Sequence, residues 1–346
     1  MPETHFDRHG VTRSEADQVR AGLEKIRLRL LDLTSRNKLL SFRHTRSTLR
    51  VVSADLDKLY EDLLVGQKLS FLYLPEPSNE EISMFGEKPP AKQYAERLGW
   101  RTSYDLPFGT GKSRCLPILH YKDDFETLIR KIGSTARTAE EESGVNLLHL
   151  IFGFLEWTES DDSTQVRHAP LLAVPVQFIN PKTKEQDRSV KIQYAGDDLN
   201  ANLSLVEKMR RDFNIDIPLL EEDETPQQYF QRFDQILDHK RDWRISRQVS
   251  LGLLSFGKLL MYLDLDVDRW PKAMPLDQHP RLIDVFAKRA ASELEFASEY
   301  EIDEEEKKGP IPPIVCEADS SQHSALVDAA RGKNLVIEGP PGTGKS

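Results

Sequence analysis

The sequence is poor in cysteine, and its two thiols, Cys115 and Cys316, stand far apart without metal-ligand spacing. That excludes a disulfide scaffold and gives no support to a structural zinc site; reduced thiols suit a cytoplasmic protein. No run of eighteen apolar residues occurs, so nothing in the pattern reads as a membrane-spanning helix. The opening MPETHFDRHG has no apolar core of a secretory signal. Positive charge is also short: 47 Lys and Arg stand against 57 Asp and Glu, a net −10, which excludes a uniformly basic nucleic-acid binder. Internal repeats are missing too. What remains is an ordinary globular composition, 38% apolar and 30% charged over 346 residues, enough for two domains.

The charge is unevenly spread. Residues 13–50 carry ten Lys and Arg against four acids, a net +6, on an otherwise acidic chain. Within this segment, polar residues 34–38 sit between apolar flanks Leu31/Leu33 and Leu39/Leu40/Phe42. Two readings stay open. The segment is either a solvated helix–turn junction anchored by its flanks, or it presents Arg36, Lys38 and Arg43 to nucleic-acid phosphates or to a partner's acidic face.

Periodicity predicts an α+β accessory domain over 14–292, with an antiparallel sheet and flanking helices, behind a disordered stretch at 1–13. Ser14 with Asp17 reads as a capping box for a helix to about Leu33. A short strand is expected at 68–74, and a long Pro/Gly-rich loop at 75–117 with a helix near 91–98. The apolar run 145–157, then 169–178 and 190–194, predict an antiparallel meander, with Pro170 and Pro175 at edge or bulge positions. His149 inside the run reads as a hydrogen-bonded core residue. Further helices are expected at 199–213, from Thr225-Pro226 to about His239, at 256–263 and at 281–288, with a strand at 244–254. Asp264, Asp266 and Asp268 alternate, but without the glycine turn and closing Glu of a calcium loop. Scattered acids such as Glu141, Glu156 and Asp264 form no ordered nuclease motif.

Eight carboxylates between 293 and 306 lead into Lys-Lys-Gly-Pro, read as an acidic linker over 293–310. A new unit, 311–346, then reads as helix, short apolar strand Leu335-Val336-Ile337, and G-x-x-x-x-G-K-S. This is a P-loop pattern. Gly339, Gly342 and Gly344, with Pro340, Pro341 and Thr343 between them, would let backbone N–H groups close around phosphate oxygens. Lys345 would reach the β- and γ-phosphates of ATP, and the Ser346 hydroxyl would sit on Mg²⁺. The helix that should begin at Lys345 has no residues here to be built from, so ATP binding by these residues alone is expected to be weak. A second GTGKS at 109–113 lacks the first glycine, since Leu106 stands there, and is expected to be a polar surface loop.

Asp319-Ser-Ser-Gln322, the alanine-rich helix after it, and GPPGTGKS together resemble the start of the motor core of superfamily I helicases of the Upf-like group. The resemblance implies that Gln322 reads the adenine edge and that the unit begins a RecA-like α/β domain. Residues 31–43 (LDLTSRNKLLSFR), 141–157, 167–176 and 249–266 resemble a domain of unknown function at the N-terminus of large bacterial helicases of that group. The resemblance implies the front part of an ATP-dependent DNA or RNA helicase. The Walker B acid and transition-state arginines of such a motor would lie beyond Ser346. The competing expectation is a binding module that docks nucleic acid or a protein without ATP.

Overall fold

A computed structural model describes residues 12–45, 47–52, 55–100, 102, 114–160, 162–179, 190–199, 201–237, 240, 242–287, 319–332 and 335. The expected features at 1–11, the GTGKS at 109–113, the acidic linker 293–310 and the strand and P-loop at 336–346 lie outside the described residues. The chain divides into two compact units, Asp17–Asp277 and a unit of Met1–Ala16 with Gln278–Ser346, and each is taken by itself.

The larger unit is α+β, built on one seven-stranded sheet. Its strands are β1 (Leu49–Val51), β2 (Leu69–Leu74), β3 (Cys115–Tyr121), β4 (Leu148–Trp157), β5 (Arg167–Ile179), β6 (Lys191–Tyr194) and β7 (Arg244–Leu253), in the order β1-β7-β4-β5-β6-β2-β3. The meander β4–β5–β6 is antiparallel, and β7 and β1 extend it antiparallel on the other side. The sheet is mixed, however, because β2 and β3 pair in parallel. Strand β3 begins inside the stretch that the sequence reads as a long loop with some short structure, and Pro117 within it is the reason. A proline lacks a ladder donor but is tolerated on an edge strand. Here β3 is the last strand, and the Pro117 carbonyl accepts from Val52 N–H at 2.8 Å just past β1, so the two edges of the sheet meet and nearly close it. Pro170 and Pro175 follow the same rule. Both lie in the part of β5 that pairs with β4 alone, since β6 pairs only with Val176–Ile179.

Helices cover the sheet because their apolar residues recur at three- and four-residue spacing. Helix α1 runs Arg13–Leu31, with residues from Asp17 on in the larger unit; that unit also holds α2 Leu56–Leu64, α3 Asn79–Phe85, α4 Ala91–Arg97, α5 Lys122–Ser143, α6 Leu203–Phe213, α7 Pro226–Leu237 and α8 Gly257–Asp264. The α1 cap is displaced from the expected Ser14: Thr12 and Glu15 exchange side-chain and backbone hydrogen bonds instead. Thr225 and Gln228 form the corresponding pair at α7. The main core joins one face of the sheet to Leu59 and Leu63 of α2, Phe125 and Ile132 of α5, Leu205 and Met209 of α6, and Phe230 and Phe233 of α7. His149 is buried, with Nδ1 hydrogen-bonded to the Leu147 carbonyl at 2.9 Å.

In the other unit α9 spans Pro280–Phe286 and α10 spans Ser320–Ala330. Among the described residues no helix is long and apolar enough to cross a membrane.

Gly153 decides which side chains of β4 reach the core. It adopts φ +72°, a conformation that L side chains rarely take. Before it Leu148, Leu150 and Phe152 face the main core; after it Leu155 and Trp157 do. The switch puts Phe154 on the opposite face, the one Ile151 already takes by alternation, where both meet Leu39, Phe42, Leu254 and Phe256. A Cβ at Gly153 would also run into the Phe230 ring. Gly153→Ala is therefore expected to cost about 2–4 kcal/mol from backbone strain plus overpacking. Urea unfolding checks this, and a loss within experimental error would mean that the switch is not tied to glycine.

Candidate polyanion-binding pocket

Two of the ten cations in the basic segment are paired within the fold. Arg20 donates to Asp277 and, at 3.2 Å, to Asp268. Arg27 pairs with Asp266 at 3.0 Å and Glu24 at 2.7 Å and lies 4.3 Å from the centre of the Tyr262 ring. Two of the alternating aspartates thus face arginines of α1, and among the described residues no group of His, Cys, Asp or Glu could hold a metal ion. Arg36, Lys38 and Arg43 behave differently. All three are exposed, and among the described residues none of their side chains makes an ion pair or hydrogen bond.

The backbone beneath them is fixed although it has no regular structure. Helix α1 stops at Leu31, and Asp32 turns with φ 46°. Orphan carbonyls at a helix end need donors. Asn37 Nδ2 reaches the Leu31 carbonyl at 2.8 Å and the Asp32 carbonyl at 2.9 Å, while its Oδ1 accepts from Leu39 N–H at 2.9 Å. Ser204 donates a second bond to the Leu31 carbonyl at 2.9 Å. Asn202 donates to the Leu39 carbonyl at 2.7 Å and the Pro170 carbonyl at 2.8 Å, and its oxygen caps α6 through Leu205 N–H. Trp157 Nε1 donates to the Leu40 carbonyl at 3.0 Å. Phe42 N–H then joins the His168 carbonyl at 2.7 Å, and the Phe42 ring occupies the space left by Gly252, where a Cβ would stand 2.8 Å from it. With Asn37, Leu39, Leu40 and Phe42 turned inward, Arg36, Lys38 and Arg43 are left facing out.

These three cations line one recess of about 390 Å³. Hydroxyl residues Ser35, Ser41, Thr45, Ser47 and Thr48 share its wall, with Phe42 and Leu253 of β7 as the apolar part. Arg167, only 8% exposed, pairs with Glu159 at 3.0 Å and donates from Nη1 to Ser41 Oγ at 3.5 Å. Behind the recess His44 packs against Phe42 and Phe154 and meets Gln248 Nε2 through its own Nε2 at 2.9 Å. An amide nitrogen donates, so His44 Nε2 accepts and the proton resides on Nδ1. Burial first, then the charges of Arg50 and His168, lower the His44 pKa from its ordinary 6.5 to about 3.

Residues 29–209, just over half of the chain, match the model of a family described as protein of unknown function (DUF4011). The chain belongs to the DUF4011 family. No curated protein and no solved structure matches it. The DUF4011 match contains Arg36, Lys38, Arg43 and every donor that holds their loop: Asn37, Trp157, Asn202 and Ser204. Sequence reasoning found the cations but not these pins. Only Asn202, an N-cap residue ahead of an amphipathic helix, left a readable signal.

The residues expected to form a nucleotide site stand apart from this recess in the chain. Gln322 is exposed on the first turn of α10, where it and Asp319 form a capping box: Asp319 N–H donates to Gln322 Oε1 at 3.2 Å and Gln322 N–H to Asp319 Oδ1 at 2.8 Å. Its Nε2 is left as a donor. Gly339, Pro340, Pro341, Gly342, Thr343, Gly344, Lys345 and Ser346 lie outside the described residues.

Asn202→Ala removes a helix cap and leaves two buried carbonyls without a donor. The expected loss is about 2–4 kcal/mol in urea unfolding; a change below about 0.5 kcal/mol would show that these bonds do not hold the loop. His44 gives a pH test. Its folded pKa lies below the unfolded one, so the native state binds fewer protons, and stability falls as pH drops from about 6.5 toward 3. The His44 ring should stay neutral at pH 5 by NMR titration; a midpoint near 6.5 would contradict its burial.

Proposed function

We propose that the DUF4011 region is a nucleic-acid-binding accessory domain and that the chain forms the N-terminal region of an ATP-dependent, helicase-type DNA or RNA motor. The observation that carries the first half is the gathering of Arg36, Lys38 and Arg43 around one recess while Arg20 and Arg27 of the same basic segment are neutralised internally. Unpaired cations of this kind neutralise backbone phosphates, and their use explains how a net-acidic protein binds a polyanion locally.

The second half rests on the order Gln322, Leu335-Val336-Ile337, Gly339 to Ser346, and on its resemblance to helicase motor cores. In this reading ATP lies in the Gly339–Lys345 loop of a RecA-like domain, Mg²⁺ is held at Ser346, and Gln322 recognises adenine. ATP with Mg²⁺ supplies the phosphoryl-transfer energy. The residues of the larger unit hold the nucleic acid and perform no chemistry.

Binding of a fluorescent single-stranded oligonucleotide to the full chain tests the first half. Affinity should fall steeply with salt. Replacing Arg36, Lys38 and Arg43 together by alanine should weaken it at least about tenfold and reduce the salt slope by about 2, at ~0.7 per phosphate contact. Unchanged affinity and slope in that variant would refute the accessory-domain reading. Nucleic-acid-stimulated ATP hydrolysis by the protein that its gene encodes, lost in Lys345→Ala, tests the motor half. Hydrolysis that survives Lys345→Ala would refute the P-loop assignment.

A further inference from the structure

We infer that the recess takes an unstacked nucleotide of a single strand and does not engage the backbone of a duplex. This rests on the nucleic-acid reading above and narrows it. Elements that read duplex DNA protrude, because a helix or ribbon must enter a groove. Here the shape is reversed: the cations rim a concavity of about 390 Å³. A cavity of this size is of small-ligand dimensions. Single-strand binders combine such cationic concavities with apolar surface against which a base can rest. Phe42 and Leu253, 3% and 8% exposed, form only the floor of the recess; the planar guanidinium groups of the exposed Arg36 and Arg43 give a base a face to stack on.

The donor inventory identifies the ligand group that the recess meets. Arginine donates and cannot accept. With Arg167 Nη1 directed at Ser41 Oγ, the Ser41 oxygen is an acceptor toward Arg167, and its O–H is left to donate toward the recess. The hydroxyl of Thr48 is already committed, donating to the Thr45 carbonyl at 3.0 Å and accepting from Thr45 N–H at 2.9 Å. Arg36, Lys38, Arg43 and Ser41 therefore all offer protons, and the ligand group they meet is an acceptor carrying negative charge, as a phosphodiester does. Arg167 is a positioning residue in this arrangement, buried and itself held by Glu159.

The test measures binding of the full chain to an oligothymidylate and to a blunt duplex of equal length in the same salt. The expected preference for the single strand is about tenfold or more. Ser35→Leu, which fills the recess and leaves every charge in place, should bring single-strand affinity down to the duplex level and leave duplex binding unchanged. Ser41→Ala, a smaller change checked for folding by circular dichroism, should weaken only the single strand, about threefold to tenfold. Equal or tighter duplex binding, reduced along with single-strand binding when Arg36, Lys38 and Arg43 are replaced, would overturn this inference and leave the nucleic-acid reading standing. A single-strand preference that survives Ser35→Leu would overturn it as well. If neither ligand responds to loss of the three cations, the nucleic-acid reading falls, and this inference with it.

Discussion

A stretch of backbone without regular structure cannot stay ordered against a sheet unless its polar groups find partners. Residues 31–42 meet that condition through side chains, and most of what distinguishes this fold follows from it. Asn37, Asn202, Ser204 and Trp157 come from the loop itself, from the cap of α6 and from the end of β4, yet their donors all converge on carbonyls of this one stretch. Each of these bonds adds about 1 kcal/mol net, but a carbonyl left buried without a donor costs about 1–3 kcal/mol, so the set works as a group. The loop, the cap and the strand end therefore hold one another in place.

The sheet is shaped to receive this loop. The left-handed Gly153 turns Phe154 outward, Gly252 leaves space for the Phe42 ring, and the β5 segment that only β4 pairs leaves the Pro170 carbonyl available to Asn202. Apolar burial of Leu39 and Phe42 against Ile151, Phe154 and Phe256 then adds non-directional stabilisation. Charge follows from geometry. The side chains that cannot turn inward are Arg36, Lys38 and Arg43, and they meet around the recess, whereas Arg20 and Arg27 on α1 lie within reach of aspartates. A net-acidic protein thereby acquires a local cationic concavity lined by ten of the described residues.

How much of this was legible in the sequence depended on whether a local signal existed. Strand β4 could be read because ten successive residues are buried, which leaves an apolar run with no competing period. The helices α6 and α7 could be read from spacing, and α7 also from the Thr225-Pro226 start. Strand β3 could not, because Pro117 is a breaker in every setting except an edge, and being an edge is a property of the whole sheet. The parallel pairing of β2 with β3 was illegible for the same reason. The cations of the candidate site were visible as charges; which of them stay unpaired was not, since Arg20 finds Asp268 and Asp277 only across 248 and 257 positions of chain. Asn37 looked like an ordinary loop asparagine because its partners are carbonyls, and carbonyls leave no mark on a sequence.

The central claim is that the pinned loop presents a working anion site. Hydrogen–deuterium exchange of the full chain, with and without a single-stranded oligonucleotide, tests it most directly. The amides of residues 34–48 should become more protected on binding, and this protection should disappear when Arg36, Lys38 and Arg43 are alanine. Protection elsewhere in the chain, with residues 34–48 exchanging as before, would contradict it.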